Sequence, residues 1–550
     1  MKKKPFFRFD TIYLLFVFLF LILFVKIISL QIYRQDFFDQ LAKEQHYGLF
    51  QIQGKRGKII DSNRDVLAKS IYFYSVFADP LFVDNKNKFA EILSTKLNIS
   101  KERLIGRLNK KKRRFVWVKR KINWKQKKDI ENLNLAGVGF IRENQRFYPE
   151  KSLFSSVLGI VDIDNNGLEG IELYYDQYLR GKKGWARVLR DSTSQHLILT
   201  PSLVELQKGA DLVVTLDTRI QYWVKQYLKE TIKKYRAKKG SVVVMNAQNG
   251  EILALANSNS SGLNNDKFYF RKNSAVTDMF EPGSVFKVVT LAAAISQKRS
   301  FDKIDCEQGR FKIPGTVLND WRPYGDLSFQ EVFYKSSNIG VAKIATTVGY
   351  KKIYNYIKKM GFGQKTGIDF PGESQGRLMH VDKWSKTARY IVPIGQGIGV
   401  NLLQLVRAFA VIANGGDLVT PHLGKELCAK GLCRAIEYDR KKNILSARVA
   451  NQAKRVLIKV VEQGTGKRAK IDEERIGGKT GTAQKFDSKL GRYSSSKYRA
   501  NFIGFIDSSK KPIVIGVTID EPKRSHFGGV VAAPLFKKIA KKIISYELFK

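Results

Sequence analysis

The sequence predicts an α/β (α+β) domain in its C-terminal part, preceded by a separate N-terminal region and a single transmembrane helix. Three observations carry this. Strand-like segments cluster between residues 211 and 256 and return between 501 and 519, the stretch between them is helical, and one apolar run near the N-terminus approaches bilayer length.

The N-terminal run comes first. Lys2-Lys3-Lys4 and Arg8 precede Ile12 to Val25, an unbroken apolar stretch, and beyond Lys26 the apolar character resumes to Leu30. With the lysine snorkelling to the interface, this reaches the roughly 20 residues a bilayer requires. Ile27 to Ile32 follow where a cleaved signal peptide needs small residues, so residues 11–31 read as an uncleaved anchor in the lipid bilayer. The basic flank places residues 1–10 as a cytoplasmic tail and the rest outside the cytoplasm. A formal net charge of +47 points first to nucleic acid or an anionic surface, but export demotes nucleic acid as a partner, and lysines spread over solvated faces account for the charge equally well.

Hydrophobic residues make up 43% of the 550, enough for large buried cores and against disorder. Cys306, Cys428 and Cys433 are too few for a disulfide scaffold, and no pair has zinc-site spacing. Cys428 and Cys433 flank a short segment and either close a small loop or remain free thiols. The five histidines are scattered with no HExxH pair, so a zinc hydrolase or a local His-based metal motif is poorly supported.

Residues 32–205 are mixed in character. Lys110 to Arg114 form a basic run, a solvated loop or a contact to anionic polymer, leading into a β-rich segment at Phe115 to Val118. From 206 to 550 the pattern sharpens. Asp211 to Leu216 and Ser241 to Met245 are strand-like, and Asn249-Gly250 turns into a further strand at Glu251 to Ala256. Helices are expected near 284–297, 328–348 and 401–414. Asn501 to Ile506 and Ile513 to Ile519 form a second hairpin, and a last helix runs from Pro534 to Tyr546. Strands at both ends with helices between imply one sheet closed by the domain's own termini.

The chemistry concentrates in three short motifs. In Glu281-Pro282-Gly283-Ser284-Val285-Phe286-Lys287, Ser284 stands at the start of an apolar helix, where unpaired N–H groups favour developing negative charge. Lys287 shares its face, and burial would lower its pKa until it can act as a base, activating a serine without histidine. Alone, a capping serine beside a snorkelling lysine would explain the pattern. Ser336-Ser337-Asn338 then offers a hydroxyl to relay a proton and an amide to grip a peptide. Lys479-Thr480-Gly481-Thr482 offers a cation, two hydroxyls and backbone N–H groups along a strand edge. A phosphate-binding loop ending at Gly478-Lys479-Thr480 fails because Glu473 occupies the position of its first glycine.

In this order the motifs resemble those of penicillin-binding proteins and serine β-lactamases, and the wider sequence resembles class B penicillin-binding proteins, in particular the cell-division transpeptidase type. Arg56 to Ala68 resembles the first motif of the family's N-terminal domain. Arg146 to Pro149 with Gly159, Gly167, Gly170, Glu172, Tyr175, Leu179 and Gly181 resembles the second. Thr366 to Glu373, Gly395-Gln396-Gly397, Gly464-Thr465-Gly466, Gly528-Gly529 and Ala533-Pro534 match its catalytic domain. Ser62, Arg64, Lys151 and Ser156 depart from the family's usual residues, all in the N-terminal domain.

The resemblance implies an elongated pedestal (dimerisation-type) domain at 32–205 and a penicillin-binding transpeptidase domain at 206–550. It further implies that Ser284 attacks the penultimate D-Ala of a peptidoglycan stem peptide, with Lys287 as base, Ser336 and Lys479 moving a proton to the leaving amine, and Asn338 orienting peptide and lysine. Thr480 and Thr482 would hold the terminal carboxylate that β-lactams imitate, with Gly481 beside them in substrate binding, the N–H groups of Ser284 and Thr482 would form the oxyanion hole, and no metal or organic cofactor is needed. Gly478 would permit close approach at the strand edge. An FtsW-like glycan polymerase and other division proteins are the implied partners. The rival readings are a β-lactam hydrolase or sensor, a catalytically silent scaffold, and a side-wall elongation enzyme. No E-x-x-L-N deacylation motif lies between Asn338 and Lys479, which disfavours the hydrolase.

Overall fold

The computed structural model describes residues 7–28, 47–110, 115–190, 197–200, 207–260, 272–297, 301–487, 491–508 and 511–547. Residues 1–6 of the expected tail, 29–31 of the expected anchor and 111–114 of the basic run lie outside them. The anchor region forms a helix at Phe7–Ile28, with its side chains from Ile12 to Ile28 exposed. Among the described residues, however, no helix is long and apolar enough to cross a membrane. The expected transmembrane helix at 11–31 is therefore not established by the fold. The helix starts early enough to place Arg8 and Asp10 in its first turn, and its described part stops at Ile28.

The chain forms two compact units, each discontinuous in sequence. The smaller comprises residues 1–55, 71–145 and 181–208. In it Tyr47–Gln53, Lys183–Arg190 and Leu197–Thr200 form an antiparallel sheet. Val116–Ile122, the strand expected after the basic run, pairs with the stretch from Tyr74 to Ala78. Phe89, Leu93 and Leu97 of the helix Lys86–Leu97 and Leu104 of the helix Lys101–Leu108 pack on Val76, Val118 and Ile122 in a small core.

The larger unit comprises residues 56–70, 146–180 and 209–550. Two stretches singled out from the sequence meet in it. Arg56 and Arg146 each place Nε 2.7 Å from one oxygen of Glu172, and all three side chains are essentially inaccessible. Arg56 also reaches Asp176 at 2.6 Å and the Asn165 carbonyl at 3.0 Å, while Arg146 reaches the Gly57 carbonyl at 2.6 Å. Charges so deeply buried persist only with this degree of pairing.

The centre of the larger unit is a five-stranded antiparallel sheet. It is preceded by α1 (Thr218–Tyr235) and built from β1 (Lys239–Asn246), β2 (Ile252–Asn259), β3 (Ile476–Asp487), β4 (Arg492–Ile506) and β5 (Ile513–Asp520) in the order β2-β1-β5-β4-β3. The alternation of strands decides what each face meets. Val242 and Val244 pack with Val224 and Leu228 of α1 and with Phe536 and Ile539 of the last helix, whereas Val243 and Met245 join the core of the inserted helices. Both hairpins expected from the sequence are present, with Gly250 at φ 90° in the first turn.

The inserted helices include α2 (Lys287–Ser296), α3 (Asn338–Val348) and α4 (Leu402–Ala413); α5 (Gly528–Glu547) is the last. Two expectations need correction. The helix expected over 328–348 is two helices, Phe329–Tyr334 and α3, because Ser336 adopts φ 61° and Ser337 caps α3 by accepting from Gly340 N at 2.8 Å. The last helix starts at Gly528 rather than at Pro534. Pro534 cannot donate to the Val530 carbonyl, but the Tyr235 hydroxyl does so at 2.9 Å, so the helix continues through it. Cys428 and Cys433, directly opposite each other in a hairpin, are disulfide-bonded, and Cys306 is free and buried.

Candidate active site

Ser284 lies in a single 3₁₀ turn, Gly283–Phe286, that leads directly into α2. Gly283 has φ 58° and Gly395 packs so tightly against it that a Cβ on Gly395 would stand 2.1 Å from the Gly283 carbonyl oxygen. This close backbone approach, with a hydrogen bond from Gly283 N to Gly395 O at 3.0 Å, fixes the turn that presents Ser284. Ser284 is half-buried.

One helical turn on, Lys287 is completely buried. Its Nζ donates to Ser336 O at 2.8 Å, Asn338 Oδ1 at 2.8 Å and Ser337 O at 3.2 Å, with Ser336 Oγ at 3.4 Å. Burial pushes its pKa down to about 7, against an opposing pull from Asp320 and Cys306. Lys479, also buried, donates to Ser336 Oγ at 2.8 Å; burial and then the neighbouring Lys287 hold its pKa well below the usual lysine value. Two amines thus flank one hydroxyl. Unless at least one amine is neutral, two unpaired positive charges share a dry site, which is the like-charge arrangement that separates an acid from a base.

Lys479, Thr480, Gly481 and Thr482 lie on β3, the edge strand of the sheet. β4 pairs with one side of it, and the other side runs past the Ser284 turn. A Cβ on Gly481 would come 3.0 Å from the Pro282 carbonyl oxygen and 3.2 Å from Val285 Cγ1. Thr480 Oγ1 hydrogen-bonds Thr465 Oγ1 at 2.7 Å, and Thr482 Oγ1 accepts from Gly528 N at 3.1 Å. Gly478 does permit a close approach, and the neighbour is the Phe502 ring, 2.6 Å from where its Cβ would be.

The structure joins Lys287, Ser336, Asn338 and Lys479 by direct hydrogen bonds and sets Thr480, Gly481 and Thr482 alongside. It gives Ser284 Oγ no hydrogen bond to Lys287, whose donors are taken by Ser336, Ser337 and Asn338. Catalytic hydrogen bonds often tighten only once substrate is present.

Sequence reasoning missed Asp320. Its carboxylate accepts from Ser337 Oγ at 2.6 Å, Asn338 N at 2.5 Å and Ile339 N at 3.2 Å, clamping the start of α3. Nothing local marks it, since the contact is made through space from a separate loop. Thr465 and Gly528 stood in matched motifs without an assigned task; the structure places both against the β3 threonines. Beside the site opens a cavity of ≈ 580 Å³, with Glu281 and Tyr493 in its wall, their side chains hydrogen-bonded at 2.9 Å, and burial raises the Glu281 pKa.

The chain is similar to known proteins along most of its length. The penicillin binding protein transpeptidase domain matches residues 240–541, and the penicillin-binding protein dimerisation domain matches residues 51–214. Stage V sporulation protein D of Bacillus subtilis is 33% identical over 96% of this chain and 83% of its own. The peptidoglycan D,D-transpeptidase FtsI of Buchnera aphidicola is 31% identical over 96% of this chain and 93% of its own. Among solved structures, penicillin binding protein 3 of Mycobacterium tuberculosis complexed with aztreonam superposes with a TM-score of 0.70 at 28% identity, covering 90% of this chain and 97% of that one. A family pattern spanning more than half the chain, and relatives of this identity along almost all of it, show that the chain belongs to the penicillin-binding transpeptidases, with the dimerisation domain that marks class B.

Proposed function

We propose that this enzyme, a peptidoglycan D,D-transpeptidase by family, cross-links stem peptides through an acyl-enzyme on Ser284. The observation that carries the site assignment is the pair of buried lysines on Ser336, one of them with its pKa brought down to about 7. Neutral Lys287 takes the Ser284 proton as Oγ adds to the carbonyl of the penultimate D-Ala. The N–H groups of Ser284 and Thr482 receive the oxyanion. As the peptide C–N bond breaks, the proton passes by way of Ser336 Oγ, with Lys479 behind it, to the departing D-Ala amine. The amine of a second stem peptide then displaces Ser284 from the ester, and the proton it loses returns the serine to its hydroxyl form. Asn338 orients donor peptide and Lys287; Thr480 and Thr482 hold the terminal carboxylate.

The finer setting is also proposed. The apolar run Ile12 to Val25 with the lysines before it supports a single-pass membrane anchor with the bulk of the chain outside the cytoplasm. The relative named FtsI supports septal wall synthesis, and an FtsW-like polymerase is the partner that reading would require. The disulfide between Cys428 and Cys433 suits an oxidising compartment.

Labelling with a fluorescent penicillin, in wild type and Ser284→Ala, tests the assignment. A long-lived adduct absent from the variant is expected. Labelling that persists in the variant removes Ser284 as nucleophile, and an adduct that turns over within seconds favours a hydrolase.

A further inference from the structure

Outside the catalytic cleft, the larger unit holds a second cavity of ≈ 710 Å³, between the segment Tyr174 to Tyr178 and the segments around 364–369 and 436–441. Its most unusual wall residue is Arg407 of α4, which is 6% exposed. The guanidinium Nε donates to the Val419 carbonyl at 2.7 Å, and its two terminal nitrogens have no hydrogen-bond partner among the described residues. A buried cation ordinarily sits in an ion pair, because desolvating it alone is costly.

Asp369 in the cavity wall and Glu373 are committed elsewhere, and Glu437 and Asp439, which also line the cavity, form no ion pair with Arg407 among the described residues. Asp369 accepts from Tyr175 OH, Tyr438 OH, Leu423 N and Gly424 N, at 2.5, 2.9, 2.7 and 2.6 Å. Glu373 accepts from Thr366 N at 2.6 Å and Gly367 N at 3.2 Å; it attracts Arg407 but forms no ion pair with it. Arg407 therefore presents unspent donors to an open, water-accessible space.

Part of the wall is aromatic. Tyr174, at the end of one short helix, and Tyr178, in the next, are 48% and 45% exposed, which leaves ring surface and hydroxyls available together. Gln177, Gln364 and Asp439 also line the cavity, and their side chains make no hydrogen bond among the described residues. Exposed tyrosine faces, uncommitted amides and an acid suit a hydroxylated ring, and the buried guanidinium suits a carboxylate on that ring. We propose that this cavity is a second binding site for a carboxylate-bearing sugar, its ring against Tyr174 and Tyr178 and its carboxylate on Arg407. Such a site would let the enzyme hold an acidic saccharide while the Ser284 cleft works on peptide. It stands independently of the catalytic assignment.

Calorimetric titration of the full chain in detergent tests it with three probes: N-acetylmuramic acid, which carries both features, N-acetylglucosamine, which lacks the carboxylate, and lactate, which lacks the ring. The acidic sugar should bind at least tenfold more tightly than either of the others. Tyr174→Ala combined with Tyr178→Ala, both exposed and tolerable to the fold, should erase the advantage over lactate. Arg407→Gln should erase the advantage over the neutral sugar, with the thermal midpoint as a check on folding. Equal affinity for acidic and neutral sugars, lactate binding as well as the acidic sugar, no binding of the acidic sugar, or undiminished binding to the double tyrosine variant would each overturn the proposal.

Discussion

Acylation of Ser284 should follow the protonation of Lys287, and its pH profile can be worked from the structure. The perturbation is pH alone. With the amine pKa brought down to about 7 by burial, half of it is neutral at pH 7 and, by simple titration, about 1% at pH 5. The second-order rate of acylation by benzylpenicillin, read by stopped-flow quenching or by timed labelling, should fall ~50-fold between pH 7 and pH 5 and rise only ~2-fold between pH 7 and pH 9. The lactam has no group titrating in that window, so the limb belongs to the enzyme. Asp320→Asn removes a charge that holds the Lys287 pKa up, so the surviving activity of that variant should keep its limb but at lower pH. A rate still climbing tenfold per pH unit from 7 to 9 would mean a lysine of ordinary pKa, and a rate flat down to pH 5 would remove Lys287 as base.

Further outcomes are expected. Lys287→Met should abolish acylation yet raise the unfolding free energy at pH 7 by about 1–2 kcal/mol, measured by denaturant titration. The sign follows from linkage: the folded pKa lies below the usual 10.5, so the unfolded chain binds more protons between about pH 7 and 10.5, the native form gains stability as pH rises through that window, and the penalty is full below it. Gly395→Ala, whose Cβ would strike the Gly283 carbonyl, should slow acylation by about 10²-fold and cost about 3 kcal/mol, seen in labelling rate and thermal midpoint. Glu172→Gln would leave Arg56 and Arg146 underpaired in a dry interior and should cost about 3–5 kcal/mol by denaturant unfolding.

The sequence made the strands of the sheet legible because alternation and turn chemistry are local: Asn249-Gly250 announces one hairpin and the polar stretch after Asp507 the other. The three short motifs of the candidate site were legible for a different reason, since each candidate group sits at a fixed offset within one turn or strand. What the sequence hid was decided across space. The break at Ser336 looked like helix interior until Asp320 and Ser337 took over the donors at the start of α3. The helix through Pro534 depends on a tyrosine almost three hundred residues earlier supplying the missing donor. The pairing of Arg56 and Arg146 on Glu172 is likewise invisible to any window. Arg407 is, with Gln404, one of two polar residues on an otherwise apolar helix, and only the fold shows it lining a cavity with no ion-pair partner among the described residues.

The most direct test of the central claim is to trap the acyl-enzyme formed from a peptide donor ending in D-Ala-D-lactate, quench it with acid, and map the adduct by peptide mass analysis. The mass of the donor less its terminal lactate should appear on the peptide containing Ser284, and be absent from Ser284→Ala. An adduct on any other residue, or turnover with no adduct on the way, would contradict the account.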